Sequence, residues 1–237
     1  MSTAHAPLRA STTLKMQGAF ARHKLFVLFL FLLATLVLEP YVENSYYGYL
    51  ALRIFGSAGV LYAVYAINLR RTVLLCGILL SIPAVLQRLL QFQPDKGTLS
   101  LINIILSFTF DVFVVVVIFR RVAMEHEPTS ETIFGALCIY LLVGFSFASI
   151  YGMVNTLQPG SFYLNPVLNH HSAPDRFDFV YYSFATMTTV GANGIDAVSR
   201  QARSITVIEA TLGVLYLAVL IARLVSAYRM RAPESSD

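Results

Sequence analysis

The sequence predicts an all-α membrane protein with six crossing helices and one half-length re-entrant segment, on three observations. Of 237 residues, 57% are hydrophobic and 13% charged, and the mean hydropathy is +0.66, more apolar side chain than a soluble core of this size takes up. Six apolar runs are long enough to cross about 30 Å of hydrocarbon at about 1.5 Å per residue. Basic residues gather at one alternate set of run ends, as orientation signals do.

In chain order the six runs are Lys24 to Tyr41, Tyr46 to Leu69, Thr72 to Phe92, Leu99 to Phe119, Thr132 to Val154 and Ala202 to Tyr228. Residues 1–23 precede them as a cytoplasmic or interfacial segment, in which Thr12 to His23 reads as a basic amphipathic stretch. No small-residue cleavage pattern follows it, so it is expected to stay in the mature protein. Pro83 is expected to kink the third run without ending it, because apolar residues continue past it. A polar linker from Glu125 to Ser130, containing Pro128, divides a four-helix front module (24–124) from a rear module (125–231). The polar tail 232–237 is short, and no C-terminal ligand-binding domain is expected. A seventh apolar segment, Phe177 to Thr189, is too short to span and fits at membrane depth only as a re-entrant loop against a protein-walled cavity.

Arg9, Lys15, Arg22 and Lys24, then Arg70 and Arg71, Arg120 and Arg121, and Arg229 and Arg231 all fall on one side, which places both termini in the cytoplasm of a cell inner (plasma) membrane protein. Glu39, Glu43, Asp95, Asp175, Asp178 and Asp196 fall on the other side. Tyr41, Tyr46, Tyr47 and Tyr49 are the expected interfacial anchors, since tryptophan is absent. The net charge of +4 is spread over helix ends rather than gathered in a stripe, which argues for membrane lipids and against nucleic acid as partner. Cys76 and Cys138 lie in apolar runs and read as small packing residues. No nucleophile, base and orienter occur at catalytic spacing and no glycine loop suits a phosphate, so neither enzyme activity nor a cofactor is expected.

Ser172-Ala173-Pro174-Asp175 offers a helix start for the short segment, with Ser172 as cap and Pro174 or Asp175 in the first turn. The helix then runs to Thr188 with its partially negative end toward the membrane centre, where a cation is stabilised. Beyond it, Thr189-Val190-Gly191 suits an extended ribbon presenting successive carbonyls to an axis, with the Thr189 hydroxyl completing the innermost site.

Residues from about Phe179 to Ala227 resemble the pore of the potassium channel superfamily, in particular the bacterial six-transmembrane ion channel family. That family's pore reads Tyr-x-Ser-x-x-Thr-x-Thr-Thr-Val-Gly-Tyr-Gly-Asp before a leucine-rich inner helix. Tyr181, Tyr182, Ser183, Thr186, Thr188, Thr189, Val190 and Gly191 match without a gap, as do Arg203, Glu209 and the run from Leu212 to Leu220. The resemblance implies a homotetrameric channel with a re-entrant pore helix and a filter at Thr188, Thr189, Val190, Gly191, Ala192, Asn193 and Gly194. It implies K+ or Na+ held at the backbone carbonyls of Thr189, Val190 and Gly191, and a hinge at Gly213. Tyr181 and Tyr182 correspond to the aromatic residues that brace the filter tyrosine, and Asp196 stands at the outer mouth.

The chain departs from the family after Gly191. Ala192 stands for the tyrosine, Asn193 for the second glycine and Gly194 for the aspartate. A register with an insertion would make Asp196 the displaced aspartate; the ungapped register is preferred because it aligns Arg203 and Gly213. A methyl group does not reach the aromatic cuff, so the expectation is two inner carbonyl sites below a wider hydrated vestibule. Potassium would permeate with weak discrimination among monovalent cations.

The fourth run lacks the arginines of a voltage sensor. Asp111 is expected to pair with Arg53 or Arg88, the alternative being a proton-sensing carboxylate. Glu209 is expected behind the pore helix, bonded to Thr186 or Tyr182. Leu217, Leu220, Ile221 and Leu224 are read as an inner gate closing by dewetting, against ordinary helix packing. Arg223 is expected to snorkel, and His170 and His171 to lie in a solvated loop from Asn155 to Ala173, the alternative being capture of a metal or proton. Two other readings stand beside the channel: a non-conducting membrane sensor or scaffold that keeps the fold, and a small-solute transporter. The second would show paired broken helices, and only one half here has a re-entrant segment.

Overall fold

The computed structural model describes residues 24–42, 51, 54–56, 58–59, 61–63, 65, 75, 77–82, 98–125, 129–169, 171 and 173–231. Its elements are α1 (Lys24–Val42), α2 (Thr98–Met124), α3 (Ser130–Leu157), β1 (Phe162–Leu164), α4 (Arg176–Met187), β2 (Ile195–Ala197) and α5 (Arg200–Arg231). Further helical residues fall at 54–56, 58–59, 61–63 and 77–82. Among the described residues α1, α3 and α5 are long and apolar enough to cross a membrane. With 27 residues, α2 reaches about 40 Å. These four helices contain the expected first, fourth, fifth and sixth runs. The second and third runs lie largely outside the described residues, and so do Pro83, Cys76, Arg53, Arg88 and the stretch Thr12 to His23.

The polar linker breaks the helix because Thr129 caps α3. Thr129 Oγ1 accepts the Thr132 N–H at 3.2 Å, and Thr132 Oγ1 accepts the Thr129 N–H at 3.3 Å. The Thr132 hydroxyl also lies 2.5 Å from Glu125 Oε2, tying the end of α2 to the start of α3.

The central helix is α3, which packs against α1, α2, α4 and α5. One core joins Leu25 and Leu28 of α1, Phe110, Val114 and Ile118 of α2, and Cys138, Ile139 and Leu142 of α3. Cys138 is a buried thiol within it, donating to the Leu25 carbonyl at 3.4 Å. At the start of α1 the Leu25 N–H donates to Glu131 Oε2 at 3.3 Å, satisfying one orphan amide. Near its end, buried Glu39 meets Arg176 of α4 at 3.0 Å.

A second core is aromatic. Phe162 of β1 sits edge-on to Tyr151 of α3 and to Phe179 and Tyr182 of α4, with ring centroids 5.3, 5.2 and 5.4 Å apart. Each such pair contributes about 0.5–1.5 kcal/mol beyond area. This wedge fixes α4 at the angle from which its C-terminal end approaches α5.

The two long helices of the rear part differ in cover. Within this chain, 61% of the apolar stretch of α3 is buried, against 11% for α5. An apolar helix left bare nearly all round requires lipid or further copies against it.

Candidate functional site

Asp175, not Ser172, caps α4. Asp175 Oδ1 accepts the Asp178 N–H and Asp178 Oδ2 accepts the Asp175 N–H, both at 2.9 Å. The cap moved because Asp175 satisfies the amide three residues on, with a second carboxylate returning the bond, whereas Ser172 lies outside the described residues. Burial raises the Asp175 carboxyl above the usual carboxylate range, against the lowering effect of the Asp178 N–H. Removing the cap with Asp175→Ala is expected to cost about 1 kcal/mol of stability, and Asp175→Asn to recover it; thermal unfolding in detergent checks both.

His171 is exposed in its loop, as expected, and is tied to the start of α4. Its Nε2 lies 2.7 Å from Asp178 Oδ2 and 3.7 Å from Asp175 Oδ2, holding the loop against the start of α4. The three side chains bring ligand atoms within 4.8 Å of one another. His170 lies outside the described residues.

At the other end, α4 stops at Met187 and the ribbon turns. Thr189 has φ +60° and Gly191 φ +82°, while Val190 has negative φ, so the segment is not the extended strand expected at Thr189. Alternating hands turn successive peptide N–H groups to one side. Accordingly the Thr189 N–H donates to Thr186 O and the Gly191 N–H to Ala185 O, each at 3.1 Å. The Asn193 N–H donates to Tyr181 Oη at 3.0 Å. Among the described residues the peptide bonds are trans, so each carbonyl points opposite to the N–H that follows it. The carbonyls of Thr188, Val190 and Ala192 therefore face away from α4. Val190 is 79% exposed, uncovered by its own chain.

Tyr181, Tyr182 and Glu209 take partners other than those expected. Tyr181 Oη accepts from the Asn193 backbone. Tyr182 Oη lies 2.9 Å from Thr206 Oγ1 on α5. Glu209 is fully buried behind α4, but it meets Ser183 and Tyr151 rather than Thr186 or Tyr182. The Tyr151 hydroxyl donates to Glu209 Oε2, and Ser183 Oγ lies 2.5 Å from Glu209 Oε1 and 2.8 Å from Gly144 O. One carboxyl group thus joins α3, α4 and α5. Thr186 contributes its carbonyl to the turn.

Gly213 is buried against the end of α4. A Cβ there would lie 2.8 Å from Met187 O and 3.0 Å from Met187 Cα. Helix α5 runs unbroken through it. Leu217 and Ile221 are exposed, Leu220 and Leu224 partly so. Arg223 does not snorkel: its Nη2 donates to Val122 O and Glu125 O, each at 2.8 Å, because carbonyls at the end of α2 lack helical partners. Asp196 is exposed in β2, opposite Tyr163, and Arg203 Nε donates to Ala197 O at 3.1 Å.

Residues 162–164 and 195–197 form an antiparallel pair, Phe162 opposite Ala197 and Leu164 opposite Ile195. The sequence reading treated this stretch as plain loop. The signal available was the Phe162-Tyr163-Leu164 run ended by Asn165-Pro166, a strand followed by a stop. Tyr151, Thr206, Asn165 and Asn169 were also missed. Tyr151, Thr206 and Asn169 bond to distant residues, and Asn165 does so through its backbone N–H, which local pattern does not encode.

No curated protein and no solved structure matches the chain. Residues 135–230 match the family described as ion channel, a stretch that runs from α3 through the turn after α4 to the end of α5. With apolar helices long enough to cross a bilayer, the chain is a membrane protein whose rear part is similar to ion channels, and the match supports a place in the ion channel superfamily.

Proposed function

We propose that four copies of this chain surround one axis and conduct monovalent cations, K+ foremost, through a filter of residues 188–194, in a cell inner (plasma) membrane with both termini cytoplasmic. The observation that carries this reading is the peptide orientation. Amide groups of Thr189, Gly191 and Asn193 turn back onto α4, so the carbonyls of Thr188, Val190 and Ala192 face the open side. Fourfold repetition of that arrangement surrounds a dehydrated cation with oxygen. The Thr189 and Gly191 carbonyls and the Thr189 hydroxyl complete the inner sites, Asn193 and Gly194 line the wider mouth, and Asp196 lies beside it. The bare faces of α5 support assembly, since one re-entrant segment per chain encloses nothing alone.

Tyr181, Tyr182, Thr186 and Glu209 support the filter from behind. Gly213 is the hinge, and Leu217, Leu220, Ile221 and Leu224 close the inner mouth. The front helices form a module without gating arginines. The family match points to transport rather than catalysis, and neither a cofactor nor nucleic acid enters the scheme.

With Ala192 in place of a filter tyrosine, discrimination between potassium and sodium is weak. Reversal potentials in proteoliposomes under opposed potassium and sodium gradients test this. A potential within a few tens of millivolts of zero is expected, and a shift toward the potassium potential for Ala192→Tyr with Asn193→Gly. Strong potassium preference in the unaltered protein contradicts weak selectivity. Absence of any flux from folded tetramers favours the sensor or scaffold instead.

A further inference from the structure

The antiparallel pairing does not end with the strands. Leu164 faces Ile195 in register, and the next pair in that register is Asn165 and Gly194, where the Asn165 N–H donates to Gly194 O at 2.8 Å. Pairing stops there because Pro166 has no N–H to offer.

A side chain then takes the same oxygen. Asn169 Nδ2 lies 2.9 Å from Gly194 O and 2.9 Å from Asn165 O. Both partners are carbonyl oxygens, so this atom is the amide nitrogen and both its hydrogens are used. The loop itself is stiffened by the Val167 N–H on Asn165 Oδ1 at 2.9 Å and by the Leu168 and Asn169 N–H groups on Asn165 O, at 3.2 and 3.1 Å. Gly194 has φ +95°, and a Cβ there would lie 3.0 Å from Asn169 Nδ2. Position 194 therefore requires glycine for its backbone and for the approach of the amide.

One residue earlier, the Asn193 N–H is held by Tyr181 Oη at 3.0 Å. Asn193 is thus fixed on both flanks, from the pore helix on one side and from the outer loop on the other, while its own side chain is exposed.

We infer that loop residues 165–169 form a clamp that sets the outer end of the filter, with Asn169 as the positioning residue that determines ion discrimination there. Both lone pairs of the Gly194 oxygen are engaged, so it is withdrawn from the permeation path and the carbonyl column ends at Ala192. The clamp takes over the task that an aromatic ring at position 192 would perform. It does so through main-chain oxygen rather than through a ring. The inference rests on the channel reading above.

The test uses full-length protein in proteoliposomes, with sodium-to-potassium permeability ratios read from reversal potentials. Asn169→Asp keeps the shape of the side chain and removes both donors. It is expected to change the ratio about three- to tenfold, the value of one hydrogen bond. Leu157→Ala, altering an exposed side chain at the end of α3 and outside the clamp, is expected to leave the ratio as it was. If the unaltered protein conducts and Asn169→Asp conducts with the same ratio, the clamp is refuted while the channel stands. If the unaltered tetramer carries no cation, the channel reading fails first. Should Asn169→Asp not assemble, Asn169→Ala removes the amide without adding charge and is expected to shift the ratio. An unchanged ratio there refutes the clamp equally.

Discussion

Gly213→Val is expected to abolish cation flux and to break the assembled protein into unstable chains. The Cβ alone would meet Met187 O at 2.8 Å and Met187 Cα at 3.0 Å. Both are backbone atoms in the last turn of α4, so no side chain can swing aside. Overpacking of this kind costs about 1–3 kcal/mol for a single added carbon, and valine adds two more carbons at the same wall. The strain falls two residues before Thr189, where the chain turns after α4. Gly213→Ala should lie between, with flux cut by about tenfold for each 1.4 kcal/mol of displaced equilibrium. A role confined to helix bending predicts otherwise. Alanine would then stiffen α5 by about 1 kcal/mol and alter opening while leaving assembly intact. Thermal midpoint of the oligomer and rubidium uptake, measured on both variants, separate close packing from bending.

Glu209→Ala is the second change expected to be severe. It removes the acceptor of two hydroxyls, Tyr151 and Ser183, at a position with no exposure. The stranded Tyr151 hydroxyl costs about 1–3 kcal/mol, Ser183 keeping Gly144 O as acceptor, and the vacated volume adds to the loss. Glu209→Gln keeps the partners: its oxygen accepts from Tyr151 and its amide donates to Ser183 Oγ, which frees the serine hydroxyl for Gly144 O. The glutamine variant should therefore unfold and conduct close to the original protein, while the alanine variant loses most folded oligomer. Equal loss in both would indicate that the negative charge itself, rather than hydrogen bonding, is what the site needs.

The sequence carried the long apolar helices α1, α2, α3 and α5 and the half-length helix α4, because apolar length is a property of local composition. It did not carry the turn after that helix: residues 189–191 suit an extended ribbon by composition, whereas Thr189 takes φ +60°. What it did not carry were partners set by three-dimensional neighbours. Glu209 was placed behind the short helix, yet its bonds go to Ser183 and Tyr151, a choice fixed by the rotation of α4 about its own axis. Arg223 could be read only as a long cation near a helix end; the orphan carbonyls of Val122 and Glu125 that attract it belong to a helix about a hundred residues earlier. The cap of α4 fell on Asp175 rather than Ser172, because reciprocal carboxylates outweigh a single hydroxyl at the first turn. The outer loop was the largest omission. Its strand is three residues long, below the length at which alternation stands out, and its meaning appears only when Gly194 is brought opposite Asn165.

The most direct test of the whole account is a density map of the protein in lipid nanodiscs, collected with thallium in place of potassium. The account predicts four copies about one axis, with ion density on that axis level with the Val190 carbonyls and the Gly194 oxygens turned outward to Asn169. A lone monomer, or Val190 carbonyls directed away from any shared axis, would contradict it.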